Sequence, residues 1–118
     1  MLNGVPYDAQ YLRANTTARG NPSVMAPRRW ERQLKIFWAE VEKLDPEDLR
    51  SFVKFWTGGE ALPKEKLILT LPAQQPGSIQ ATTCAWMLAL PGSFLDEEKM
   101  GLAVFAALME GKTEYNMC

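Results

Sequence analysis

Along residues 28–44, Trp30, Leu34, Phe37, Trp38, Val41 and Leu44 recur at spacings of four, three, one, three and three. That is one apolar stripe of helical period, and it predicts an amphipathic helix packed on a core. Glu31 and Lys35, four apart, suit the opposite face. Asp45-Pro46 stops this helix and opens the next. Asp45 is a good N-cap, Pro46 fits the first helical position, and Asp48 stands where a capping-box acid belongs. Leu49, Phe52, Val53 and Trp56 make the second stripe, which Gly58-Gly59 ends. A closing helix is predicted over 95–110. Asp96, Glu97 and Glu98 suit its positive end, Met100, Val104, Phe105 and Leu108 are expected to face inward, and Gly111 is expected to terminate it. A shorter helix with thin apolar content is expected over 8–16, with Asp8 as its cap.

Two uncharged apolar runs are too short for helices. Residues 67–71, ended by Pro72, and 84–90, ended by Pro91-Gly92, read as strands. Residues 17–27 and 72–78 carry the Gly and Pro of loops, and 112–118 read as a tail. The expected fold class is α/β or α+β: a small, mostly buried sheet of about four strands packed by helices. Residues 1–7 form a lead-in or hinge and 8–118 a single domain.

At 118 residues, with 47% apolar content, four tryptophans and five phenylalanines, the chain is one domain with enough material for a real core. A net charge of −1 offers no strong pull toward nucleic acid or an anionic membrane, so neither is expected as a partner. The apolar runs are far shorter than a membrane span, and residues 1–7 lack the pattern of a secretory leader. Two cysteines are few for a stapled secreted domain, which suggests free thiols in a reducing compartment, the cytoplasm or nucleus. The absence of histidine and of any Cys-x-x-Cys pair argues against zinc, and no glycine-rich phosphate loop is present, so no cofactor is expected.

The chemistry concentrates at Cys84, behind Thr82-Thr83 and ahead of Ala85-Trp86. Without histidine the chain cannot build its own Cys–His pair, which excludes a self-contained papain-like hydrolase. Thiol chemistry on a substrate that arrives already activated remains open. So does a packing role, since cysteine is among the most buried residue types. Cys118, the last residue, does not fit a prenylation box, in which cysteine comes first.

The order of motifs resembles the C-terminal, catalytic lobe of HECT-type ubiquitin ligases over nearly the whole chain. Leu12-Arg13-Ala14-Asn15-Thr16 is similar to the segment just past the family's interlobe hinge. Ile36-Phe37-Trp38-Ala39-Glu40-Val41-Glu42 looks like its aromatic "WFW–VVE" helix, and Phe52-Val53-Lys54-Phe55-Trp56-Thr57-Gly58 like its "LLQFVTG" helix end, with Leu62-Pro63 beyond. Thr83-Cys84 and Leu88-Ala89-Leu90-Pro91 stand where the family writes "TCFNxLxLP". Tyr115 is fourth from the end, where some members carry phenylalanine. The chain departs from the pattern at Thr82, often histidine in the family, at Ala85 and Trp86, and at Ser78-Ile79. The connection after Gly58-Gly59 is also shortened.

The resemblance implies that Cys84 takes ubiquitin from a conjugating enzyme as a thioester and passes it to a substrate lysine. A preceding lobe would dock the conjugating enzyme. Ubiquitin, a conjugating enzyme and a protein substrate are the implied partners. Thr83 is the residue expected to support the thioester, with Thr82, Ala85 and Tyr115 as binding residues. No base for the incoming lysine lies near Cys84 in sequence, and Glu114 on the tail is one candidate. Two rivals stand beside this reading: a non-catalytic relative that binds ubiquitin or another partner, and an unrelated helical interaction domain.

Overall fold

The computed structural model describes residues 8–59, 66–73 and 77–113. Helix α1 spans Ala9–Ala14 and opens where the Asp8 carboxylate accepts the Tyr11 N–H at 2.8 Å. Strand β1 follows at Thr16–Ala18. Helix α2 covers Pro27–Glu42 with its proline in the first turn. Helix α3 covers Pro46–Thr57, its Asp48 N–H donating to the Asp45 carboxylate at 2.8 Å. Strands β2 (Leu67–Thr70), β3 (Gln80–Thr82) and β4 (Met87–Ala89) precede helix α4 at Glu97–Thr113. The sheet order is β1-β2-β4-β3. β1, β2 and β4 run parallel, and β3 pairs antiparallel to β4 as the edge of a hairpin, with Thr82 opposite Met87. The architecture is α+β, a four-stranded sheet with packed helices.

The core lies where the stripes of α2, α3 and α4 meet the sheet. Phe37, Trp38, Val41, Phe52, Val53 and Trp56 are buried with Leu67, Leu69 and Leu88 of the strands and Met100, Val104 and Leu108 of α4. Phe37 meets Trp38 edge-on at 4.9 Å and Phe52 meets Trp56 edge-on at 6.1 Å, the geometry aromatic quadrupoles favour. Among the described residues, one polar side chain is fully buried with them. Gln33 donates from Nε2 to the Leu95 carbonyl (2.9 Å) and accepts the Leu95 N–H at Oε1 (2.8 Å), so both ends of its amide are engaged.

Several boundaries differ from expectation. β1 occupies part of the expected 17–27 loop, because its pairing with β2 creates it. The Leu67 N–H reaches the Asn15 carbonyl at 2.9 Å and the Arg19 N–H the Leu69 carbonyl at 2.8 Å. The strand expected over 84–90 begins only at Met87, and β3 precedes it. Gly111 does not end α4, which runs on to Thr113. A Cβ at Gly111 would overlap the Ser51 carbonyl oxygen, so its role is close approach of α4 to α3. Phe105, expected inward, is 58% exposed. It stands roughly 100° around the helix from Val104 and so off the buried stripe. Tyr115 and the rest of the expected tail beyond Thr113 lie outside the described residues, as does the 1–7 lead-in.

Candidate active site

Residues 83–86 connect the antiparallel strands β3 and β4. Thr83–Ala85 form a single 3-10 turn with Cys84 in its middle, and Thr82 enters it in an extended conformation. Trp86 leaves the turn with φ 54° and ψ 39°, in the left-handed region. Its N–H returns to the Thr83 carbonyl at 3.2 Å and closes the turn. Left-handed backbone costs a bulky side chain about 1–2 kcal/mol, whereas glycine and asparagine tolerate it. The reversal therefore has to be held from outside.

Two elements hold it. The Trp86 carbonyl accepts the Ile68 N–H of β2 at 2.9 Å and the Trp56 indole Nε1–H of α3 at 3.0 Å. Trp56 is itself fully buried, so its indole is a rigid anchor. The end of α3 presses on the turn as well. Gly58, the left-handed C-cap with φ 82°, lies so close that a Cβ there would stand 3.3 Å from the Thr83 Cβ. The Thr57 hydroxyl donates to the Val53 carbonyl at 2.9 Å and accepts the Gly59 N–H at 3.2 Å, which fixes the chain as it leaves the cap.

The expected site residues Thr82, Thr83, Cys84 and Ala85 thus share one turn. Thr82 and Ala85 are exposed and Thr83 is half-buried against α3. Tyr115 and Glu114 lie outside the described residues. From Ser78 to Leu95 the chain carries no charged side chain, so the turn's own segment supplies no acid or base. Among the described residues, no cluster of His, Cys, Asp and Glu could hold a metal ion, and no helix is long and apolar enough to cross a membrane. The turn that carries Cys84 is thus held by α3 and β2 on the Thr83 and Trp86 sides, with Thr82 and Ala85 exposed.

The family model described as HECT-domain (ubiquitin-transferase) matches residues 1–117. The chain belongs to the HECT-domain family. Among curated proteins no match is found. Membership connects the fold with ubiquitin transfer, and with ubiquitin, conjugating enzymes and protein substrates as partners in general. It also gives meaning to a departure in the sequence. The HECT pattern that this stretch resembles has asparagine where Trp86 stands, and asparagine is one of the few residues at ease in left-handed backbone. Sequence reasoning missed Trp56, Gly58 and Trp86 as the residues that shape the turn. The asparagine of the resembled motif was the available signal for Trp86. Trp56 reads as core from sequence, and its indole bond appears only in three dimensions.

Proposed function

We propose that the chain is the C-terminal lobe of a HECT-type ubiquitin ligase and that Cys84 is its ubiquitin carrier. The Cys84 thiolate attacks the carbonyl carbon of the thioester joining ubiquitin's C-terminus to a conjugating enzyme. A new C–S bond forms, the old one breaks, and the conjugating enzyme leaves as a thiolate. A substrate lysine amine then attacks the Cys84 thioester. The isopeptide bond forms, Cys84 departs as thiolate, and the amine's proton passes to a base. Exchange of one thiol for another is nearly balanced. A thiol with an ordinary pKa of about 8.5 supplies enough thiolate for it without a histidine partner.

Thr83 supports the thioester oxygen through its N–H or hydroxyl as charge develops there. Thr82 and Ala85, exposed beside Cys84, contact the ubiquitin tail, and Tyr115 acts from the C-terminal segment. The observation that carries this reading is the clamped turn. Trp56, Gly58 and Ile68 hold residues 83–86 while Thr82 and Ala85 stay exposed.

The test is a single-turnover transfer in the intact ligase. Conjugating enzyme charged with labelled ubiquitin is added, and adducts are resolved on a non-reducing gel for wild type, Cys84→Ser and Cys84→Ala. A thiol-sensitive adduct in wild type that vanishes in Cys84→Ala is expected. No adduct from a folded protein, with any of several conjugating enzymes, refutes the carrier role. The departures at Ala85 and Trp86 favour one rival, a non-catalytic binding module. That rival predicts no change in the parent protein's activity with Cys84→Ser.

A further inference from the structure

The net charge of −1 conceals a strong segregation. Between Asp8 and Glu40 the chain carries six Lys and Arg residues and one acid, Glu31. Four of these cations, Arg28, Arg29, Arg32 and Lys35, lie on α2 between its second and ninth residues, and all four are exposed. At about 100° per residue, Arg28, Arg32 and Lys35 share the outward face, and Arg29 flanks it on one side.

Arg29 and Arg32 converge on a single ring. Their guanidinium carbons stand 5.0 Å and 5.3 Å from the Phe94 ring centroid. The ring is held in place from behind, because Phe94 precedes Leu95, whose N–H and carbonyl are both bound by buried Gln33 of the same helix. Two like charges are thus gathered on a fixed platform. Among the described residues neither meets a carboxylate. An external anion would relieve their repulsion and find its donors already ordered.

We infer that this face of α2 docks an acidic segment of a partner protein, its carboxylates engaged by Arg29 and Arg32 over Phe94 and by Arg28 and Lys35 alongside. The planar guanidinium fork matches a carboxylate two bonds at a time, and ordering it beforehand lowers the cost of binding. A nucleic acid fits less well. The arginines occupy the ring on which a base would stack, and the charge outside this segment repels a long polyanion. The inference is independent of the role given to Cys84.

The test is fluorescence anisotropy of the full chain with a labelled twelve-residue peptide of alternating Glu and Ser. Its Gln/Ser counterpart and a twelve-nucleotide single-stranded DNA serve as comparison probes. The acidic peptide is expected to bind with affinity that falls as salt rises, and the Gln peptide not to bind. Arg29→Gln/Arg32→Gln is expected to weaken acidic-peptide binding at least tenfold, and Phe94→Leu severalfold. Lys66→Gln/Lys99→Gln, which removes the same charge elsewhere, is expected to leave it within twofold. Amide shifts on titration should concentrate at residues 28–35 and 93–95. Absence of binding, equal loss in the two double variants, or tighter binding of the DNA overturns the inference.

Discussion

Replacing Gly111 with alanine should destabilise this protein, although glycine-to-alanine inside a helix ordinarily stabilises by about 1 kcal/mol. The reason is the crossing of α3 and α4. The added methyl would overlap the Ser51 carbonyl oxygen and stand 3.0 Å from the Ser51 carbonyl carbon and 3.3 Å from the Phe55 Cβ. Two of these three atoms are helix backbone, so no rotamer change makes room. Either α4 lifts off α3, or its last turn, which holds Lys112 against Asp48, unwinds. Lifting the helix opens a gap along Val104, Ala107 and Leu108, which are buried. Overpacking of this kind costs about 1–3 kcal/mol, and more where backbone must move. After the propensity gain, a net loss of about 2 kcal/mol remains. For a domain of this size that lowers the melting temperature by roughly 8 °C and the urea midpoint by roughly 1 M. Gly101→Ala is the matched control in the same helix. Its methyl would meet the Glu40 carboxylate, with Oε1 at 2.9 Å and Cδ at 3.6 Å, the far end of a side chain rather than backbone. This variant should match wild type or exceed it by up to about 1 kcal/mol. Urea denaturation of the three proteins decides the matter. A Gly111→Ala protein as stable as Gly101→Ala would refute the close α3–α4 contact.

Trp56→Phe removes the indole donor to the Trp86 carbonyl and opens a small cavity. The expected loss is about 2 kcal/mol, with faster amide exchange at residues 85 and 86 and severalfold slower thioester formation. Unchanged exchange there would show that the turn does not depend on α3. Gln33→Met keeps the side-chain length but leaves the buried Leu95 N–H and carbonyl unpaired. About 3 kcal/mol should disappear from the urea-derived stability, and a loss below about 1 kcal/mol would count against the double hydrogen bond. The Lys112 ammonium has its pKa raised above the usual lysine value by its hydrogen bond to Asp48, then by the charges of Asp48, Glu47 and Asp45. A raised folded-state pKa means stability that is fully present below the unfolded value of about 10.4 and lost as pH rises through the folded one. Urea midpoints of wild type and Lys112→Met should therefore differ at neutral pH and converge as the pH rises through the raised pKa of Lys112; a gap that persists once Lys112 is neutral contradicts the ion pair as its source.

How much of this protein was legible beforehand depended on how local each determinant is. The core of α3 could be read because stripe, cap and terminator all fall within one segment, and that of α2 because its stripe runs unbroken up to the Asp45-Pro46 stop. Asp45 and Gly58 act within a few residues of their helix ends. β2 was legible as an uncharged apolar run. The cysteine motif and its family likeness could also be read, since they are carried by residue order. β1 and β3, three residues each, have no alternation long enough to register and exist because neighbouring strands bond them. Gly111 looks like a helix stop until α3 lies against it, and Phe105 like core until α4 is rotated into place. The candidate site divides the same way. Sequence marks Cys84, but the left-handed turn that presents it depends on hydrogen bonds from Ile68 and from Trp56, 30 residues earlier than Trp86. A local pattern specifies what a segment can form. Which strained turn survives is decided by the distant donors that hold it, and only the tertiary structure brings those donors within reach.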